Sequence, residues 1–162
     1  MKYITYVLMA VIFSATTQAE VKALQEYRSD ATELYKQLES KETKYLEANA
    51  KALVDSSKAI VIQSIKALPQ CDEYLTALLK AADKIAALPL DEIETGYHAD
   101  GKLPQLKDGS CYHAKDLLVH PATVQAMARI GINTDKEWKQ AEHEIEEVLE
   151  HLSLVEAVYA QN

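Results

Sequence analysis

Imidazole is the one side chain here whose unperturbed pKa lets it move a proton near neutral pH, and it is also a common metal ligand. The chain has five: His98, His113, His120, His143 and His151. Three of them fall between residues 98 and 120, with Asp100 and Asp116 among them. On a helix centred on the apolar residue Leu117, His113 and His120 lie about 40° and 60° to one side, and Asp116 about 100°. All three therefore sit on or beside a buried face. Asp116 and His120 are four residues apart, a spacing that suits two ligands or a carboxylate orienting an imidazole. His113 and His120 are about 10.5 Å apart along such a helix, too far to share one small ion unaided. A further ligand must come from elsewhere, and His98, with Asp100 or Glu94, is the candidate from the preceding loop.

His143, Glu147 and His151 repeat every four residues on the last helical segment. Their spacing resembles a zinc ladder, but with Ile145 at the core they fall at about 160°, 200° and 240°. The expectation is a solvated acidic face, shared with Glu142, Glu146 and Glu150, which repel one another at i,i+4. The sequence lacks the Glu-x-x-His pattern of ferritin-type sites, His-Glu-x-x-His, Gly-x-Ser-x-Gly and a phosphate-binding Gly-Lys-Ser/Thr. Without Cys-x-x-Cys-His there is no covalent haem attachment, and a non-covalent haem held by Met127 with a histidine is supported by no motif.

The elements that would carry these residues are helical. Residues 20–68 contain no Gly or Pro. Leu24, Ala31, Leu38, Tyr45, Ala52 and Ala59 recur every seven residues, with Tyr27, Leu34, Ala48 and Ile62 between them. That is a helical stripe, interrupted by Lys41 and Asp55. One helix over this span would be about 70 Å long, so a break is expected near Ser40 or at Asp55–Ser57. Asp30 followed by Glu33 resembles a capping box and suggests a restart there. Helical patterns follow at 71–88 and 111–130, with Pro121 expected to kink or split the latter. A last helix over 134–156 is capped by Thr134 or Asn133. Residues 89–110 hold three of the four glycines and form an irregular connection, with a short helix possible over 91–97. The fold class expected is all-α: an up-and-down antiparallel bundle of four main helices, the first long and possibly broken.

Residues 1–19 read as a secretory signal peptide: Lys2, an apolar run Val7–Phe13, then small and polar residues ending at Ala19. Residues 20–162 form the single domain. The two cysteines, Cys71 and Cys111, fit a disulfide in an oxidising compartment, the periplasm if the cell is Gram-negative. The 162-residue chain carries net charge −8, or −9 without Lys2, which argues against nucleic-acid and anionic-lipid partners. No segment after the leader reaches membrane-spanning length. The function expected is a secreted, non-enzymatic protein binding a small ligand, a divalent metal or a protein through residues 89–120. The alternative is a small histidine-dependent enzyme or a non-covalent haem or metal electron carrier. The candidate ligands are His98, Asp100, His113, Asp116 and His120.

Overall fold

The computed structural model describes the backbone of residues 5–160, and the side chains of residue 18 and of 20–160. The leader layout read at 1–19 therefore lies largely outside the described residues. Six α-helices are present among the described residues and no strand: α1 (Thr5–Glu39), α2 (Leu46–Ala67), α3 (Asp72–Ile85), α4 (Leu90–Ile93), α5 (Ser110–Ile130) and α6 (Asp135–Tyr159). The all-α class stands, with six helices where four main ones were expected. Helix α5 packs against α2, α6 and α3, while α1 packs against α2 and α6. No helix among them is long and apolar enough to cross a membrane.

The break in the first helical segment comes at Ser40, and α2 runs unbroken through Asp55–Ser57. Lys41 and Tyr45 both take left-handed backbone angles in the turn. Buried Gln37 holds that turn: its Nε2 donates to the carbonyls of Glu42 and Lys44, and its Oε1 accepts from Asn49. The turn also shifts the helical register. Leu24, Tyr27, Ala31, Leu34 and Leu38 are buried as the sevenfold stripe requires. Beyond the turn the stripe fails: Tyr45, Ala48, Ala52, Ala59 and Ile62 are exposed. The buried set on α2 is Leu46, Ala50, Leu53, Val54, Ser57, Ile60, Val61 and Ser64. No helix restarts at Asp30, which lies exposed inside α1. Asp55, an exception in the stripe, faces outward and pairs with Lys51 and Lys58.

Pro121 does not split α5. A proline inside a helix lacks the N–H that would reach the carbonyl four residues back, here that of Leu117. The Tyr27 hydroxyl, on α1, donates to that same carbonyl. Tyr27 is buried, and burial pushes its phenol pKa well up, so it remains a donor. A tyrosine from a neighbouring helix thus supplies what the proline withholds.

The connection to α5 is more ordered than its glycines suggested. After α4 the chain makes a wide helical turn over Glu94–His98. The Gly101 N–H closes on the Thr95 carbonyl at 3.1 Å. A Cβ at Gly101 would stand 2.4 Å from that oxygen, so this approach requires glycine. Cys71, in the short 3-10 turn before α3, joins Cys111 in the first turn of α5. Helix α6 starts with a capping box in which Thr134 and Glu137 satisfy each other's backbone N–H groups.

Two outcomes check these contacts. Tyr27→Phe should cost about 1–3 kcal/mol in urea denaturation, the penalty for an unpaired buried carbonyl. The loss should shrink in a Pro121→Ala background, which restores the helical N–H; an equal loss in both backgrounds would refute the link. Thiol titration of the denatured, unreduced protein should find no free sulfhydryl. Reduction should remove about 4 kcal/mol of stability, the chain-entropy value for a 40-residue loop.

Candidate metal centre

Helix α5 is enclosed by its neighbours, and residues 114–124 are all buried. Four of them are polar or charged: Lys115, Asp116, His120 and Thr123. Each needs a partner at that depth. Lys115 finds loop groups: its Nζ donates to the carbonyls of Tyr97 (3.1 Å) and His98 (3.0 Å) and lies 3.3 Å from Asp100 Oδ1. It is also 3.1 Å from Asp116 Oδ1. This ammonium holds the end of the wide turn against α5 and so fixes the backbone of His98.

The remaining partners come from α6. His120 Nδ1 lies 2.8 Å from Glu144 Oε2, and its Nε2 lies 3.2 Å from Glu147 Oε2 and 3.9 Å from Asp116 Oδ1. His98 packs its ring edge-on to His120, with centroids 4.8 Å apart, and its Nε2 is 3.6 Å from the same Glu144 oxygen. His151 stacks on His120 at 5.6 Å between centroids, and its Nε2 is 3.4 Å from Asp116 Oδ2. His113 Nδ1 meets His151 Nδ1 at 2.9 Å. Two sets have ligand atoms within 4.8 Å of one another: His98, His120 and Glu144, and Asp116, His120 and His151. Among the buried atoms with no hydrogen bond are both Asp116 oxygens and His120 Nε2.

Proton positions follow in part from chemistry. The Thr123 hydroxyl donates to the Val119 carbonyl, so its 3.0 Å contact with His98 Nε2 requires the imidazole to donate. A His113 N–H donating to His151 leaves the His151 Nε2–H facing Asp116, an ordered chain of two imidazoles and a carboxylate. Burial pushes Asp116 and Glu144 up to about 7, against the pull of Lys115 on the first and His98 on the second. Burial also pushes His120 and His151 down to about 4, and lowers His98 and His113. Each of these six groups is thus pushed toward its uncharged form, as desolvation dictates.

The structure brings His98, Asp116 and His120 together, and joins His113 to them through His151 rather than directly. Asp100 stands apart, paired with Lys115 and with the Tyr74 hydroxyl at 2.7 Å. Glu94 is exposed. The solvated-face expectation for α6 holds for His143, whose side chain is 66% exposed. It fails for His151, at 14%, and in part for Glu147, at 38%. Glu142 is also buried and pairs with Lys139. The reason is that α6 packs on α1 with one flank and on α5 with the other, so its buried arc is wide. Glu144 and Lys115 were not singled out from sequence. A signal existed: Glu144 and His151 lie about 100° and 120° to one side of Ile145, as Asp116 does of Leu117. Two helices each carrying titratable groups on one flank can set those flanks together. Met127 packs in the apolar core.

Comparison with protein-family models, with curated proteins and with solved structures found no match.

The cluster sets a pH signature. Between about pH 4.5 and 6.5 the folded chain keeps protons on Asp116 and Glu144 that the unfolded chain has lost, while the unfolded chain protonates His120 and His151, which stay neutral in the folded chain. The two carboxyls make stability fall as pH rises through this window and the two imidazoles make it rise, so the pairs oppose each other. Removing one carboxyl tips the balance toward the imidazoles. In chelator-treated residues 20–162, the urea midpoint of Asp116→Asn should therefore rise more steeply from pH 5 to pH 7 than that of the unaltered protein. Parallel profiles for the two would contradict the burial argument.

Proposed function

We propose that the chain is a secreted protein that binds a divalent transition-metal ion in the histidine–carboxylate cluster between α5 and α6. The observation that supports this most is Asp116: fully buried, with only Lys115 and the Tyr112 hydroxyl drawing it toward its charged form, and facing His120 and His151. Such a carboxylate is expensive to bury unless a cation joins it. Lys115 supplies part of that charge, and the facing imidazoles suit a metal. Imidazole with carboxylate is a donor set for Zn(II) or Cu(II) rather than Mg(II) or Ca(II). The half-exposed Glu147 and the partly exposed His113 give the cluster an open side.

The leader at 1–19 and the Cys71–Cys111 bond support an oxidising destination, the periplasm in a Gram-negative cell. In this reading α1, α2, α5 and α6 form the up-and-down antiparallel core, and α3, α4 and the wide turn close one side of it. The binding region extends beyond residues 89–120 to include α6.

Isothermal titration of chelator-treated residues 20–162 with Zn(II) should show binding, and saturating metal should raise the melting temperature. His120→Ala and His151→Ala should each weaken binding by about 100-fold or more, since loss of even an outer partner costs 10–100-fold. Asp83→Asn, at an exposed carboxylate of α3 paired with Lys58, should change it by less than about threefold. Absence of heat and of any melting shift with both Zn(II) and Cu(II) would leave the cluster a structural network.

A further inference from the structure

The two ligand sets share one residue, His120, and use its opposite nitrogens. Its Nδ1 faces Glu144 Oε2 at 2.8 Å, the oxygen that also lies 3.6 Å from His98 Nε2. Its Nε2 faces the other set: Glu147 Oε2 at 3.2 Å and Asp116 Oδ1 at 3.9 Å, with His151 Nε2 at 3.4 Å from Asp116 Oδ2. The lone pairs of the two ring nitrogens diverge, so one ion cannot use both. A single ion in either set would leave the other set's buried carboxylate facing imidazoles without a cation.

Resting on the metal-binding reading above, we propose that the cluster holds two divalent cations bridged by the His120 imidazole. The first is held by His98, His120 Nδ1 and Glu144. The second is held by Asp116, His120 Nε2, His151 and Glu147. With metal–nitrogen bonds of about 2.0–2.1 Å, the two ions stand about 6 Å apart across the ring. When the second ion binds, the remaining N–H proton of His120 leaves to solvent and the ring becomes an imidazolate. At His98 the Nε2 proton now given to Thr123 shifts to Nδ1, because that nitrogen donates in the metal-free arrangement. At His151 the Nε2 proton shifts to Nδ1, which then donates to His113, and any proton on Asp116 or Glu144 leaves to solvent.

Charge supports two ions rather than one. Glu144, Asp116, Glu147 and the bridging imidazolate carry four negative charges, and two divalent ions carry four positive ones. The neighbouring Lys115 and Asp100 balance each other at 3.3 Å. The doubly loaded cluster is therefore neutral in an interior that tolerates net charge poorly. The nitrogen-rich donor sets favour Cu(II) and Zn(II), and the bridge gives copper a distinctive readout.

Chelator-treated residues 20–162 loaded with excess Cu(II), then freed of loose metal by gel filtration, should retain two ions per chain. Copper spectroscopy should show magnetically coupled ions, with much of the ordinary paramagnetic signal lost at low temperature. His98→Gln and His151→Gln should each reduce retention to about one ion and restore the uncoupled signal. Asp83→Asn, at an exposed carboxylate of α3, should leave two coupled ions. Circular dichroism of each variant checks that the helices persist, and His98, at the loop edge, is the substitution least able to disturb them. One ion per chain in the unaltered protein would overturn the bridged pair while keeping the metal-binding reading. Two uncoupled ions, or a count that falls with Asp83→Asn, would also overturn the bridge. No retained ion would overturn the metal-binding reading itself.

Discussion

The structure depends on a helix that is buried on every side and still carries charge. Helix α5 lies between α2, α3 and α6, so Lys115, Asp116, His120 and Thr123 have no water to turn to. An apolar helix in the same place would be simpler to stabilise, since paired buried ions seldom exceed hydrophobic packing in net stability. Each polar group on α5 instead recruits a neighbour. The loop gives carbonyls and Asp100 to Lys115, and α6 gives Glu144, Glu147 and His151 to His120 and Asp116.

The surrounding devices all hold α5 in register with those partners. The Cys71–Cys111 bond fixes its first turn to the start of α3. The Gly101 approach to Thr95 closes the wide turn that presents His98. Tyr27 pairs the carbonyl that Pro121 would otherwise orphan, one turn before the proline and beside His120. A helix interrupted there would move His120 relative to Asp116, and the shared ring could not face both ligand sets.

The metal-free cluster is a place where stability is given up. Two carboxyls and four imidazoles are all pushed toward their neutral forms by burial. Contacts among them recover part of the desolvation, yet Lys115 and Tyr112 do not offset the burial of Asp116, whose carboxyl stays pushed up to about 7. Under the proposed metal-binding reading, a cation would supply what the protein's own donors do not. Local frustration that a ligand relieves is a common property of functional sites.

The helical class was legible in the chain, because apolar residues at helical spacing and the positions of Gly and Pro reflect local backbone preferences. So were the cysteine pair, the cap at Thr134, the burial of His120 and Asp116, and the approach of His98 to His120. The α2 face was not legible, because the turn at Ser40–Tyr45 resets the register and every later stripe position moves with it. The partnership of Glu144 and His151 with α5 was also hidden. On α6 alone they stand well away from Ile145, and one helix's periodicity identifies its most apolar direction without saying how wide the buried arc is. That width depends on how many helices pack around it, which only the tertiary structure decides. Because α6 is packed by α1 on one flank and α5 on the other, a flank that reads as solvent-facing becomes the second wall of the site.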